Sequence, residues 1–290
     1  MVQVKDEISY EKDQISTKHE IYFQDAINMK NLKKNSVHLV VTSPPYWKIK
    51  DYGNNNQIGF KDSLSDYFKR LNEIWRECIR LLHPGCKLCI NIGDQFLRAK
   101  DAPKKVYQII PLHAYMINEI LREFQNMVYL GSINWSKVST SNTSGGGHIM
   151  GSIYYPRNGY FFINREYIII FRKLGKDPKP ETEKKLSYIS LEKWRKYFKD
   201  SWSFPGINQN IHDAMFPEKL PKRLIRMYSF VGDTILDPFL GSGTTTKVAA
   251  DLGRNSIGFE IGFNRENWKQ IIKEKVESVI REFPTQFNYF

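Results

Sequence analysis

Along most of the chain, short runs rich in β-branched and apolar residues alternate with longer stretches in which apolar residues recur every three or four positions. The first kind includes EIYF (20–23), SVHLVV (36–41), KLCINIGD (87–94), VYLGSINW (128–135), EYIIIFRK (166–173), TILD (234–237) and SIGFE (256–260). These read as seven strands. The second kind covers 64–82, 109–124 and 217–230, then the residues up to Asp251, then a last stretch ending near Phe283. These read as helices, the first stopped by His83, Pro84 and Gly85. Strands alternating with helices predict an α/β fold: a doubly wound, mostly parallel, seven-stranded sheet covered on both faces.

Two stretches break the alternation. SKVSTSNTSGGGHIMG (136–151) is rich in Ser, Thr and Gly and reads as a mobile loop. From 174 to 205 the pattern dissolves into GKDPKPETEKK, followed by Tyr188, Trp194, Arg195, Lys196, Tyr197 and Trp202. That stretch reads as an insert, equally a solvated linker with an aromatic-anchored helix or a recognition surface. The expected organisation is one half of a core over 18–173, an insert over 174–205, and the other half over 206–290.

Composition narrows the class. At 41% hydrophobic and 14% aromatic residues the chain is not a disordered one, and 290 residues bury a substantial core. With 43 basic against 31 acidic residues the formal charge is +12, which suits a phosphate backbone and also fits a membrane surface. The N-terminal MVQVKDEISYEKDQ lacks the apolar core of a signal peptide and no run approaches a membrane span, so the expectation is a cytoplasmic protein with no membrane partner. Cys86 and Cys89 form a CxxC near His83, but on a strand positions three apart face opposite ways, so no metal site is expected.

Two loops carry the candidate chemistry. In VVTSPPYWKIKDYG (40–53) a buried strand runs into Ser43, Pro44, Pro45 and Tyr46. Proline has no N–H, so the pair ends the ladder and leaves carbonyls able to accept hydrogen bonds. In ILDPFLGSGTTT (235–246) a strand, a glycine turn and a helix start form a loop whose backbone can approach a nucleotide closely, with Glu260 ending the next strand where an acidic residue binds ribose hydroxyls. The loop lacks the Lys of a Walker motif, and Asp237 puts an anion beside it. A nucleoside bearing a cationic amino acid suits that charge better than a dinucleotide, and S-adenosylmethionine meets the description.

TSPPYW followed by DPFLGSGTT resembles the amino-DNA methyltransferases of the β arrangement, in which the catalytic motif precedes the cofactor motif. KDYGNNNQIG, LLHPGCKLCINIGD, REYIIIFRK, FPEKLPKRLIRMYS and GFEI extend the resemblance over most of 20–261. One departure is Asp213, which follows His212 where family members often carry Pro. The resemblance implies an S-adenosylmethionine-dependent methyltransferase fold, circularly permuted, with a small recognition insert. It assigns Asp237, Phe239, Gly241, Ser242, Gly243 and Thr244 to the loop around the methionine end of the cofactor, Glu260 to the ribose and Asp25 to the adenine amino group. The helix beginning near Pro217 would close over the methionine moiety.

For catalysis the resemblance implies that Ser43 Oγ and the Pro44 carbonyl, held by Pro45, accept from the two protons of an exocyclic amino group, while Tyr46 stacks on a flipped base. Ser at the first motif position resembles the N4-cytosine group; adenine N6 methylation is the nearest alternative. A non-catalytic DNA-binding module and a dinucleotide-dependent oxidoreductase explain less of the two loops. The partners implied are double-stranded DNA, a cognate restriction endonuclease and, in a homodimer, a second copy of the chain.

Overall fold

The computed structural model describes residues 15–49, 51–54, 56–102, 104–137, 150–151, 157, 159–160, 163–206, 216–262, 266–278 and 282–290. Among these are β1 (Thr17–Tyr22), β2 (Val37–Thr42), β3 (Leu82–Ile92), β4 (Gln95–Leu97), β5 (Gln108–Ile110), β6 (Met127–Ser136), β7 (Met150–Gly151), β8 (Gly159–Tyr160), β9 (Arg165–Lys173), β10 (Ser201–Ser203), β11 (Thr234–Asp237), β12 (Asn255–Phe259) and β13 (Thr285–Tyr289). The helices are α1 (Leu64–Leu81), α2 (Leu112–Glu123), α3 (Leu191–Tyr197), α4 (Lys219–Tyr228), α5 (Thr244–Asp251) and α6 (Trp268–Glu277).

One sheet organises the molecule, in the order β10-β6-β9-β3-β2-β11-β12-β1-β13. β9 alone runs against its neighbours; the remaining pairings are parallel. Alternation along β2 sends Val40 into the core under α1 and α2, and Leu39 and Val41 into the core under α4 and α5. On β3, Cys86 joins the first core and Cys89 the second, so the two thiols do face opposite ways. α1 starts at a Ser63 cap that accepts from the Asp66 N–H at 3.1 Å. It ends where Lys173 Nζ donates to the carbonyls of Ile79 (2.7 Å) and Leu82 (2.6 Å), a cation at a helix C-terminus.

All seven expected strands form, and the sheet has nine. The two additions are its edges. β13 pairs with β1 and follows the helix that was expected to end near Phe283. β10 pairs with β6 and lies inside the stretch expected to be an insert, with Trp202 fully buried. The rest of that stretch begins at the sheet edge holding the amino-terminal ends of β3 and β11: Asp177 reaches Arg172 at 3.3 Å, Thr182 Oγ1 donates to the Val231 carbonyl at 2.6 Å, and Ser187 Oγ accepts from the Val231 N–H at 2.8 Å. Most of the Ser/Gly-rich loop, and Asp213, lie outside the described residues.

β2 and β11, the strands that lead into the two candidate loops, are hydrogen-bonded neighbours through Leu39↔Ile235 and Val40↔Leu236. The circular order of the chain therefore brings a loop from residue 43 beside one from residue 238, at the carboxyl ends of the strands, where open parallel sheets bind ligands. No described helix is long and apolar enough to cross a membrane.

Candidate active site

The Ser43 hydroxyl donates to the Asn91 carbonyl at 3.0 Å, which uses its one hydrogen and turns the oxygen's lone pairs elsewhere. Pro44 is buried, and no hydrogen bond engages its carbonyl among the described residues. The Pro45 carbonyl accepts from Tyr67 Oη at 2.9 Å, which ties the turn to α1. Tyr46 Oη accepts from Asn91 Nδ2 at 3.1 Å and lies 3.4 Å from Ser43 Oγ; burial raises its pKa well above the ordinary phenol value and keeps it neutral. Asn91 Nδ2 also donates to Glu166 Oε2 at 2.7 Å, and Lys137 is paired with Glu166. The target loop is thus backed by a polar network drawn from the top of β3 and the ends of β6 and β9. Sequence reasoning missed Asn91, Glu166 and Lys137, which are far apart in the chain.

Beside it opens a cleft of about 880 Å³, solvent-open mouth included. Ser43 and Pro45 line it together with Asp25, Phe239, Gly241, Ser242 and Glu260, so the structure joins in one cleft two of the four residues expected in the target loop and five of the eight expected at the cofactor. Pro44 and Tyr46 are not among its lining residues, nor are Asp237, Gly243 and Thr244, and α4 contributes none.

Asp237 departs most from expectation. Rather than facing a ligand, its carboxylate accepts from Thr42 Oγ1 (2.7 Å), Thr245 Oγ1 (2.6 Å) and the Phe239 N–H (3.1 Å), and burial pushes it up to about 6. It clamps the last residue of β2 to the first turn of α5 and so fixes the two loops relative to each other. Glu260 bridges differently: Oε2 accepts from the Gly241 N–H at 2.8 Å and Oε1 from the Gly262 N–H at 2.9 Å, with burial pushing the carboxyl up to about 7. Asp25 Oδ1 accepts from the Ile27 N–H at 3.0 Å and begins a short 3₁₀ turn at the cleft.

The roof comes from the segment after the target loop. Tyr52, Asn56, Gln57 and Ile58 line the cleft, and Asn54 Nδ2 crosses to the Ile261 carbonyl at 2.8 Å. Arg70 on α1 holds the segment from outside, donating to the carbonyls of Gln57 (3.0 Å) and Asn56 (2.6 Å) while paired with Asp62 at 3.0 Å. These lining residues went unassigned in the sequence, although KDYGNNNQIG marked the stretch.

Comparison with known proteins gives this geometry a family. The family model for DNA methylases acting at N6 or N4 matches residues 37–274. The chain belongs to this DNA methylase family. Among its relatives are the Type II methyltransferase M.MjaI of Methanocaldococcus jannaschii, 36% identical over 94% of this chain and 96% of that one, and M.MthZI of Methanothermobacter thermautotrophicus, 35% identical over 92% and 79%. A putative DNA modification methylase from Thermus thermophilus, solved with S-adenosyl-L-methionine, superposes with a TM-score of 0.74 at 31% identity over 93% of this chain and 97% of that one. The PvuII cytosine-N4 DNA methyltransferase, at 18% identity, 90% of this chain, 94% of that one and a TM-score of 0.60, shares the fold. The methylase core is therefore of the S-adenosylmethionine-dependent methyltransferase type, with two further strands at its edges.

Proposed function

We propose that the chain transfers a methyl group from S-adenosylmethionine to the exocyclic N4 of cytosine in double-stranded DNA, as the modification half of a Type II restriction–modification system. One observation carries the reading: Ser43 of the target loop and Gly241, Ser242 and Glu260 of the cofactor wall line the same cleft. The Type II relatives and the Thermus complex with S-adenosyl-L-methionine support the substrate and the methyl donor.

The cleft suits the donor. Gly241 has a φ of +56°, and a Cβ built on it meets no protein atom within 4 Å, so the missing side chain leaves cleft space where the wall is lined by backbone. Asp25 and Glu260 offer carboxylates to an adenine amino group and ribose hydroxyls, and Phe239 offers an apolar wall. Bound S-adenosylmethionine supplies a methyl carbon made electrophilic by its sulfonium.

The chain's own residues prepare the acceptor. An exocyclic amino nitrogen is a poor nucleophile because its lone pair is delocalised into the ring. Ser43 Oγ and the Pro44 carbonyl accept hydrogen bonds from its two protons, draw the nitrogen toward tetrahedral geometry and free the lone pair; as the nitrogen–methyl bond forms and the sulfur–methyl bond breaks, one of the two protons is released to solvent. The Asn91 carbonyl holds the Ser43 hydrogen, so Ser43 acts as an acceptor. Positioning supplies most of the rate, with no covalent intermediate. The target base leaves the duplex to reach the loop, and Tyr46, fixed through its hydroxyl, stacks on it. A cognate endonuclease and a homodimer belong to the same proposal.

Purified protein, isotopically methyl-labelled S-adenosylmethionine and unmethylated duplex DNA, followed by digestion to nucleosides and mass spectrometry, test the reading. Labelled N4-methyldeoxycytidine is expected. Labelled N6-methyldeoxyadenosine would move the target base to adenine, and DNA without label would refute the activity.

A further inference from the structure

The glycine loop carries no basic residue of its own, yet it has an ammonium against it. Lys275, on α6 and 33 positions beyond Ser242, donates from Nζ to Ser242 Oγ at 2.9 Å and to Thr244 Oγ1 at 2.7 Å. Its placement follows from packing. Ile272 and Val276 are fully buried on the same helix, and a Cβ at Gly243 would come within 2.5 Å of Val276 Cγ1, so loop and helix are in direct contact. A lysine ordinarily extends its ammonium into water. Here the ammonium is held under the loop, where burial pushes it down to about 8. Glu218 and Lys247 are the charged groups that bear on it, with opposite effects.

The N-terminus of α5 begins at the same place, with Thr244 as its first residue, so the positive end of a helix and an ammonium converge on the wall that Ser242 presents to the cleft. Positive potential from two sources at one wall selects an anionic group. In a nucleoside carrying an amino acid, that group is the α-carboxylate. We propose that Lys275 is a positioning residue for the amino-acid end of the cofactor: through Ser242 and Thr244 its charge sets the affinity of the cleft for the carboxylate, and leaves the nucleoside end to Asp25 and Glu260. The proposal rests on reading the cleft as the S-adenosylmethionine site with the glycine loop at its amino-acid end.

The test compares two ligands by calorimetry on the full chain. S-adenosylhomocysteine carries the carboxylate; 5′-methylthioadenosine is the same nucleoside without the amino acid. Lys275→Gln keeps a hydrogen-bond donor and removes the charge, and it should weaken S-adenosylhomocysteine by about tenfold or more while changing 5′-methylthioadenosine less than about twofold. Lys275→Arg should restore most of the loss. Equal weakening of both ligands, failure of Lys275→Arg to restore binding, or unchanged S-adenosylhomocysteine affinity would each overturn the role of the charge. Failure of the underlying reading looks different: Glu260→Gln would then leave both ligands bound as in the wild type, whatever Lys275 does.

Discussion

Gly241 and Gly243 are two residues apart in one loop, both with positive φ (+56° and +88°), and answer to different constraints. A Cβ at Gly241 meets open cleft, whereas one at Gly243 meets Val276 at 2.5 Å. Gly241→Ala should therefore cost little stability, about 1 kcal/mol for the left-handed backbone, and should weaken S-adenosylhomocysteine strongly. Gly243→Ala should lower the melting temperature by overpacking of about 1–3 kcal/mol. Denaturation and calorimetry on the pair check both. Glu260 gives a pH prediction. Its carboxyl is raised from the ordinary 4.5 to about 7, so in this window the folded protein holds a proton that the unfolded chain has released. The stability it contributes is full below about 4.5 and is lost as pH rises through about 7. Without ligand, Glu260→Gln should gain on the wild type in melting temperature from pH 5 to 7.5, and a flat difference would contradict the shift. Little of this was legible beforehand. The glycines and Glu260 announce a nucleotide loop, but Val276 and Lys275 reach it from a helix some thirty residues away. Asp237, read as part of the loop around the methionine end, has its carboxylate on Thr42 and Thr245.

At the scale of elements, Asn54 of the roof segment crosses to the Ile261 carbonyl and so ties the segment to the far side of the cleft. Asn54→Ala should weaken cofactor binding by the worth of one neutral hydrogen bond, about 1 kcal/mol or roughly fivefold, with the melting temperature nearly unchanged. The stretch around Lys184 and Lys185 teaches the opposite lesson. Its Lys-rich composition suggests DNA contact, yet Thr182 and Ser187 bind Val231 at the edge away from the cleft. Lys184→Ala and Lys185→Ala should leave DNA affinity and its salt dependence unchanged; a salt slope reduced by about one unit would put a phosphate there. Long elements were legible because α1 repeats its apolar face at Tyr67, Leu71, Ile74, Trp75 and Cys78, and β9 carries the unbroken apolar run Tyr167 to Phe171. β10 has three residues, too few for any periodicity, and β13, although Pro284 ends the helical pattern before it, offers only the five residues Thr285–Tyr289, so neither edge of the sheet was read from the sequence.

On the scale of the whole molecule, the order of the chain is undone by the sheet. The half proposed to act on the target base comes first and the half proposed to hold the cofactor comes last; they meet at the β2–β11 pairing, and Asp237 fixes the junction through Thr42 and Thr245. The TSPPY and DPFLGSG motifs made this meeting readable, because their order implied the permutation. The stretch 174–205 divides in two: Thr182 and Ser187 hold its first part at the edge away from the cleft, whereas Ser201–Ser203 pairs with the end of β6. The net charge of +12 should set general affinity for DNA, steeply dependent on salt. In the proposed mechanism one cleft divides its work, with the target loop acting on the amino group and the glycine-loop residues on the methyl donor. Ser43→Ala tests it most directly, with single-turnover methyl transfer to DNA and S-adenosylhomocysteine affinity measured on the same preparation. The prediction is a transfer rate lower by a factor on the order of 10² with ligand affinity within about twofold of the wild type; an unchanged rate, or a loss explained wholly by weaker ligand binding, would contradict it.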